Sequence, residues 1–344
     1  MSHLSTRLKQ VLTALLLISP FFLWGTAMVA MKGVIADTTP LFIAAMRLLP
    51  AGCLVLLVGL WMGREQPSGW RAWLWISLFA LIDGTLFQSF LAAGLVRTGA
   101  GLGSVMIDSQ PLAVAVMAHW LFGEQIGSVG WWGLSLGLVG ISLLGLPDEW
   151  ILGLLQGIPI WQDWTFGSDW SAALFQRGEW LMLLAALSMA VGTVLIRYVC
   201  RQADPVMATG WHMILGGLPL AAWSALTETN QWQQLSVSGW LAIAYATVFG
   251  SAIAYGVFFY LASTRNLTSL SALTFLTPIF ALLFSHLLLG ELLTAVQQVG
   301  VAFTLVSICL INQREKLLKL LRPTLIQEPP PETPVKAGTF ESKS

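Results

Sequence analysis

The 344 residues are 56% hydrophobic and only 10% charged, with seventeen Lys and Arg balancing seventeen Asp and Glu. A soluble domain has roughly a quarter of its residues charged, so water is excluded as the main solvent of this chain. Zero net charge gives no basis for nucleic-acid binding, and the Lys and Arg positions become the useful quantity.

Residues 1–10 form a short basic N-terminus with Arg7 and Lys9. The apolar run from Val11 to Met31 is too long for a signal-peptide core and lacks a small-residue cleavage site, so it is expected to be a retained first span. A bilayer core needs about 20 apolar helical residues per span, and such runs recur, broken by short Gly, Pro, Ser or charged stretches. Further spans are predicted at 40–62, 71–93, 100–121, 128–146, 180–200, 206–226, 237–262, 269–289 and 295–312. Residues 147–179 form a long acidic, Trp-rich insertion with Asp148, Glu149, Asp163 and Asp169. Its apolar stretch from Trp150 to Trp161 is too short to cross and is expected in the outer interface, with a lid as the alternative. Residues 313–344 end in a polar, Pro-rich tail expected to be disordered. Cys53, Cys200 and Cys309 lack ligand spacing and read as buried, inert thiols.

An all-α membrane protein of ten transmembrane helices follows. With the N-terminus in the cytoplasm, that side holds Arg7, Lys9, Arg64, Arg71, Arg197, Arg201, Arg265, Arg314, Lys316, Lys319, Arg322, Lys336 and Lys343. The opposite side keeps Lys32, Arg97 and Arg177. The positive excess predicts both termini cytoplasmic, in the cell (inner) membrane. Trp61, Trp70, Trp73, Trp131, Trp180 and Trp240 fall near span ends, where an indole anchors at the interface.

An offset of 167 residues superposes Gly25-Thr26 on Gly192-Thr193, Pro111 on Pro278, His119 on His286, Gly123-Glu124 on Gly290-Glu291 and Gly133 on Gly300. A two-residue gap then pairs Pro40 with Pro205 and Arg47 with His212. These residues are not interchangeable aliphatics, so the matches indicate duplication. Each half, 11–146 and 180–312, holds five spans, so the second copy enters the membrane reversed: two inverted five-helix repeats.

With Phe-Leu-Trp-Gly at 22–25, and Pro followed thirteen residues later by Gly-Glu in spans four and nine, the chain resembles the EamA-type family of the drug/metabolite transporter superfamily over residues 11–312. The resemblance implies a central substrate cavity and, usually, export of metabolites, amino acids or drugs. The insertion at 147–179 departs from the short mid-chain linker of that family.

Ionisable residues inside a membrane are costly and mark function by default. Arg47, Asp83, Asp108, His119, His212 and His286 make up most of that set. Arg47 is expected to pair with Asp83 or Asp108, and the remaining negative charge to be neutralised by a proton, a cation or a cationic substrate. One reading protonates Asp83 or Asp108 during the cycle; the other makes Arg47–Asp108 structural, with Asp83 facing water. Gln88, Gln110, Tyr255, Thr274 and Thr277 add hydrogen-bonding capacity, and Trp24 an aromatic wall. Pro111 and Pro278 free the carbonyls of Ile107 and Thr274, weakening the helix at matching places as gates or static kinks. Glu124 and Glu291 are expected to cap the next helix or bond loop amides, and His119 and His286 to serve packing or helix-end bonding.

The expected function is a secondary transporter, an exporter of a small metabolite, amino acid or drug-like solute by alternating access. No catalytic residue, cofactor or metal ligand is expected, and without a Walker motif ATP drive is unsupported. The alternative is a membrane-embedded enzyme acting on a lipid or isoprenoid, which would need an acid/base or metal constellation that the scattered His and Asp do not supply.

Overall fold

The computed structural model describes residues 6–32, 34, 36–97, 107–145, 151, 153, 178–289 and 294–313. The expectations for the insertion, the C-terminal tail, Glu291 and the side chain of His286 lie outside these residues.

Every regular element among the described residues is helical. In chain order they are α1 Thr6–Lys32, α2 Pro40–Trp61, α3 Trp70–Phe79, a π-helical segment Ala80–Leu86, and α4 Phe87–Arg97. There follow α5 Gln110–Phe122, α6 Gly127–Gly145, α7 Gly178–Val199 and α8 Pro205–Thr227. The chain continues through α9 Val237–Thr247, a second π-helical segment Val248–Ile253, α10 Ala254–Thr264, α11 Leu267–Ser271, a 3₁₀ turn Ala272–Phe275, α12 Leu276–Leu289 and α13 Ala295–Asn312. Six of these runs are long and apolar enough to cross a membrane: Val11–Met31, Pro40–Trp61, Trp70–Gly94, Trp180–Val199, Val237–Thr264 and Ala295–Asn312. Gln110–Phe122, Gly127–Leu143 and Leu267–Ala281 are shorter apolar helices.

Local chemistry sets the helix starts. Asp204 caps α8, its Oδ1 accepting from Val206 N at 2.9 Å and Met207 N at 3.2 Å, with Pro205 in the first turn where its missing N–H costs nothing. Thr294 and Gln297 form a capping box at the start of α13. At the other end of α5, Gly123 takes the left-handed conformation at φ 66° that ends a helix without a Cβ clash.

Large apolar side chains cover much of the exterior, including Leu15, Leu57, Leu226, Leu241 and Leu287, as a lipid-facing surface requires. Cys53 and Cys309 lie on this exposed surface and Cys200 is only half-buried, which corrects the expectation of three buried thiols. A thiol is apolar enough to face lipid without a partner.

With lipid outside, helices associate through close packing of small residues. Gly133, Gly137 and Gly140 on α6 meet Ile311, Ser307 and Thr304 on α13 so closely that an added Cβ would fall within 2.7 Å of each neighbouring helix. Ser307 Oγ also donates to the Gly133 carbonyl at 2.6 Å.

Loop contacts order the two ends of the bundle. Arg64, after α2, reaches Asp204, before α8, at 3.2 Å. Glu124, after α5, meets Arg197 near the end of α7 at 3.2 Å and also binds the start of α11. Glu228, after α8, instead accepts from Thr39 Oγ1, Leu41 N and Phe42 N at the start of α2, at 2.8 to 3.0 Å.

Candidate functional site

The two π-helical segments lie in equivalent places. Adding 167 to 80–86 gives 247–253, and the second segment covers Val248–Ile253. A π turn inserts a residue into the helical ladder and re-aims the side chains around it, which is why such turns gather at functional sites.

The first segment presents Asp83, 1% exposed, towards α8 and α7. Its Oδ2 stands 3.2 Å from Nε2 of His212, itself 1% exposed. This is an ion-pair separation without the alignment of a full hydrogen bond, and Oδ1 has no hydrogen-bond partner among the described residues. The other ring nitrogen of His212, Nδ1, lies 2.6 Å from the Thr209 carbonyl. Phe79 stacks on the imidazole with centroids 4.1 Å apart, and Phe259 meets it edge-on at 5.4 Å. Glycines permit the approach. A Cβ on Gly192 would sit 2.3 Å from Asp83 Oδ1, and one on Gly216 would sit 2.6 Å from the Gly84 Cα.

The second segment presents Ser251, fully buried, whose hydroxyl accepts from Arg47 Nη2 at 3.3 Å. Arg47 keeps partial exposure while its Nε is enclosed and has no hydrogen-bond partner among the described residues. Between the two segments, Gln88 Nε2 donates to the Tyr255 hydroxyl at 3.2 Å, a bond between residues 167 positions apart. Trp24 packs edge-on against Tyr255 with centroids 5.3 Å apart, its Nε1 buried without a hydrogen-bond partner among the described residues. Tyr255 also contacts Phe259, which links this group to His212.

The structure therefore gathers Trp24, Arg47, Asp83, Gln88 and Tyr255 and adds His212, Ser251 and Thr209. Neither expected pairing of Arg47 is present: among the described residues no ion pair joins it to Asp83 or Asp108. Asp83 does not face water, because the π turn directs it at His212. Asp108 is 8% exposed, and no side-chain partner for it occurs among the described residues. Gln110 Oε1 and Thr277 Oγ1, 167 positions apart, are both buried and have no hydrogen-bond partner among the described residues. Thr274 donates to the Ser271 carbonyl at 2.7 Å, a local bond.

Pro111 and Pro278 occupy first turns rather than helix interiors. The chain turns at Asp108 and Ser109 before α5 begins at Gln110, and α12 begins at Leu276 after a 3₁₀ turn. Both helices are thus interrupted at matching places, with Pro at the restart. Glu124 caps a helix, but not the next one. Its Oε1 accepts from Leu267 N at 2.9 Å, and its Oε2 from Thr268 N at 3.2 Å and Thr268 Oγ1 at 3.0 Å, at the start of α11. His119 makes the expected helix-end bond, Nδ1 lying 2.9 Å from the Glu124 carbonyl.

Sequence reasoning did not select His212 as the partner of Asp83, nor Ser251 or Glu228. The pairing of Arg47 with His212 in the internal alignment was the available signal, since it marks two polar side chains at one structural position.

A bundle of apolar helices with a lipid-facing exterior and a buried set of polar and ionisable groups defines a polytopic membrane protein. Comparison with known proteins makes this specific: the chain belongs to the EamA-like transporter family, whose profile matches residues 11–146 and 176–313. It is 63% identical over 333 residues to the "Uncharacterized transporter sll0355" of Synechocystis sp., covering 95% of this chain and 98% of the relative. It is 52% identical over 300 residues to the chloroplastic WAT1-related protein At3g02690 of Arabidopsis thaliana, covering 86% and 68% of the two chains. The inner membrane transporter YedA of Escherichia coli is 26% identical over 85% of this chain and 88% of its own. A solved crystal structure shares the fold with a TM-score of 0.69 at 18% identity, over 89% of this chain and 98% of that one.

Proposed function

We propose that the protein is a secondary transporter that moves a small polar or amphipathic metabolite by alternating access between two inverted five-helix repeats, in the direction of export. The observation that carries the reading is the correspondence at 167 residues. Two π-helical segments occupy equivalent positions, and Gln88 bonds its own counterpart Tyr255, as expected of residues on a pseudo-twofold axis. Two inverted copies of one bundle have two near-equivalent packings, one open to each side, and rocking between them exposes a central site alternately.

Loop contacts support the topology. The connections after α2, α5, α7 and α10 meet one another through Arg64–Asp204 and Arg197–Glu124–Thr268, while those after α1 and α8 meet through Glu228. Arg64, Arg197, Arg201 and Arg265 lie at the first end, and this positive excess supports reading that end, with both termini, as cytoplasmic. The buried, unpartnered Trp24 Nε1, Arg47 Nε, Gln110 Oε1 and Thr277 Oγ1 are polar atoms that a polar solute would satisfy. Names of the relatives favour transport over catalysis, and YedA, described as an inner membrane transporter, favours that membrane here.

The test is a thermal-shift screen of the purified chain against a metabolite library, followed by counterflow of each hit in proteoliposomes. Saturable counterflow is the expected result. Conversion of a hit without flux would replace the carrier reading with the enzyme one.

A further inference from the structure

Asp83 belongs to the first half and His212 to the second, so their contact is a charge-bearing joint across the plane on which the transporter reading depends. Its protonation follows from its neighbours. The Thr209 carbonyl only accepts, so the ring nitrogen 2.6 Å from it, Nδ1, carries a proton. Nε2 then faces Asp83 Oδ2 at 3.2 Å with two stable arrangements: imidazolium against carboxylate, or neutral imidazole against carboxylic acid. Both hold one proton between the two residues. Without it, a carboxylate would face an imidazole lone pair inside an apolar shell of Phe79 and Phe259, with Gly192 closing the far side of the carboxylate. A buried carboxylate without a counter-charge must be hydrated or become protonated.

We propose that Asp83 and His212 form a single-proton binding site whose occupancy holds the two halves together, and whose loss admits water between the Ala80–Leu86 segment and α8. On release, the shared proton passes to an entering water molecule, leaving the Asp83 carboxylate and neutral His212; on rebinding the reverse occurs. This rests on the carrier reading and supplies it with a coupling site. The charged and titratable groups facing the pair are few. Tyr255 on α10 is held by Gln88, Arg47 on α2 lies beyond it against Ser251, and α7 contributes Gly192 at the contact. Close approach of Gly84 and Gly216 next to the pair makes the joint sensitive to small separations, because backbone meets backbone there. In the other half the counterpart of Asp83 is Gly250 and that of His212 is Arg47, which bonds the adjacent Ser251, so no carboxylate–imidazole pair recurs there and the site is single.

The full-length chain in lipid nanodiscs, with ¹⁵N-histidine labelling, tests this without any substrate. A pH series records the His212 ring nitrogens, assigned by their loss in His212→Gln, and the Asp83 carboxyl by infrared difference against Asp83→Asn. The expected result is Nδ1 protonated throughout, with ring and carboxyl signals changing in one shared step. Hydrogen exchange over 80–86 and 209–216, corrected for intrinsic rate, should rise about tenfold or more across that step and lose the rise in both variants. Two separate steps, an unprotonated Nδ1, or exchange unchanged across the step would overturn the proposal. The wild-type tautomer and number of steps decide the matter even where one variant fails to fold. Absence of counterflow in the separate proteoliposome assay would count against the carrier reading alone.

Discussion

Glu124 offers a sharp test of how the ends of the bundle are held. Its carboxylate accepts three hydrogen bonds from Leu267 N, Thr268 N and Thr268 Oγ1 and meets Arg197 at 3.2 Å, while its side chain is only 8% exposed. Glu124→Gln keeps the shape and one acceptor oxygen but turns an NH₂ towards donors, so at least one buried N–H loses its partner and the charge pair is gone. An orphaned buried donor costs about 1–3 kcal/mol, and breaking a buried ion pair about 3–5 kcal/mol. Arg197 retains the carbonyls of Ala262 and Arg265, which lowers the second cost. The expected total is about 3 kcal/mol, or roughly 6 °C in Tm at about 2 °C per kcal/mol for a chain of this size. Intrinsic fluorescence of the seventeen Trp follows unfolding in detergent. Thr268→Val, which removes only the hydroxyl, should cost about 1 kcal/mol. A double-mutant cycle with Arg197→Gln should return a coupling of about 1 kcal/mol or more. Glu124→Gln unfolding within roughly 1 °C of wild type would refute the reasoning, because the α11 cap would then be dispensable.

Gly192→Ala should destabilise the chain by about 1–3 kcal/mol, since the new methyl falls 2.3 Å from Asp83 Oδ1; unchanged Tm would show that Asp83 can move away. Burial pushes the Cys200 thiol up to about 12, so at pH 8 only about one thiol in ten thousand is ionised, and maleimide labelling should remain slow until unfolding. The sign follows from the raised value: stability from the protonated thiol is complete below its ordinary value of 9.0 and is lost as pH rises towards 12. At the Arg64–Asp204 contact the two partners should differ. Arg64→Gln removes a half-open surface pair and should shift stability by less than about 1 kcal/mol, whereas Asp204→Ala also removes the α8 cap and should cost about 1–2 kcal/mol more. Equal effects in thermal unfolding would place the stabilisation in the ion pair instead.

Hydropathy made the apolar runs legible because the cost of a polar side chain in lipid is summed along the chain. Thus α1, α2, the α3–α4 run, α7, the α9–α10 run and α13 stand out by length and composition. Of the predicted spans outside those six, two are interrupted, near Asp108 and at Ala272–Phe275, where Pro111 and Pro278 restart a helix, whereas α6 and α8 are continuous helices. Membership of Trp24, Arg47, Asp83, Gln88 and Tyr255 in the candidate site was also legible, since few other reasons place such residues inside an apolar run. Their partners were not. Which side chain Asp83 meets depends on a π turn and on two glycines, Gly192 and Gly216, that let α7 and α8 approach; no periodicity along the chain encodes a crossing between helices. Glu124 hid its role for the same reason, because the amides that it caps lie 143 and 144 residues away.

In the proposed two-repeat carrier, the corresponding residues Arg47 and His212 carry unequal chemistry, and this inequality bears on mechanism. Arg47 faces the second π segment as His212 faces the first, yet one meets the Ser251 hydroxyl, next to Gly250 where the offset puts the counterpart of Asp83, and the other meets the Asp83 carboxylate. A permanent cation with an enclosed, unpartnered Nε suits the acceptor group of a solute, because Arg stays charged through the cycle and can exchange one acceptor for another. A carboxylate–imidazole contact suits a proton, because its charge state changes by one without leaving either partner stranded. Identical repeats would offer the same ligand to both sites; in the proposed carrier, Arg47 in place of His212 and Gly250 in place of Asp83 would let solute and proton bind at different places. Arg47→Gln should therefore abolish the thermal shift given by a library hit and leave the single proton step at His212 in place. Loss of that step in Arg47→Gln would show instead that one electrostatic unit serves both tasks.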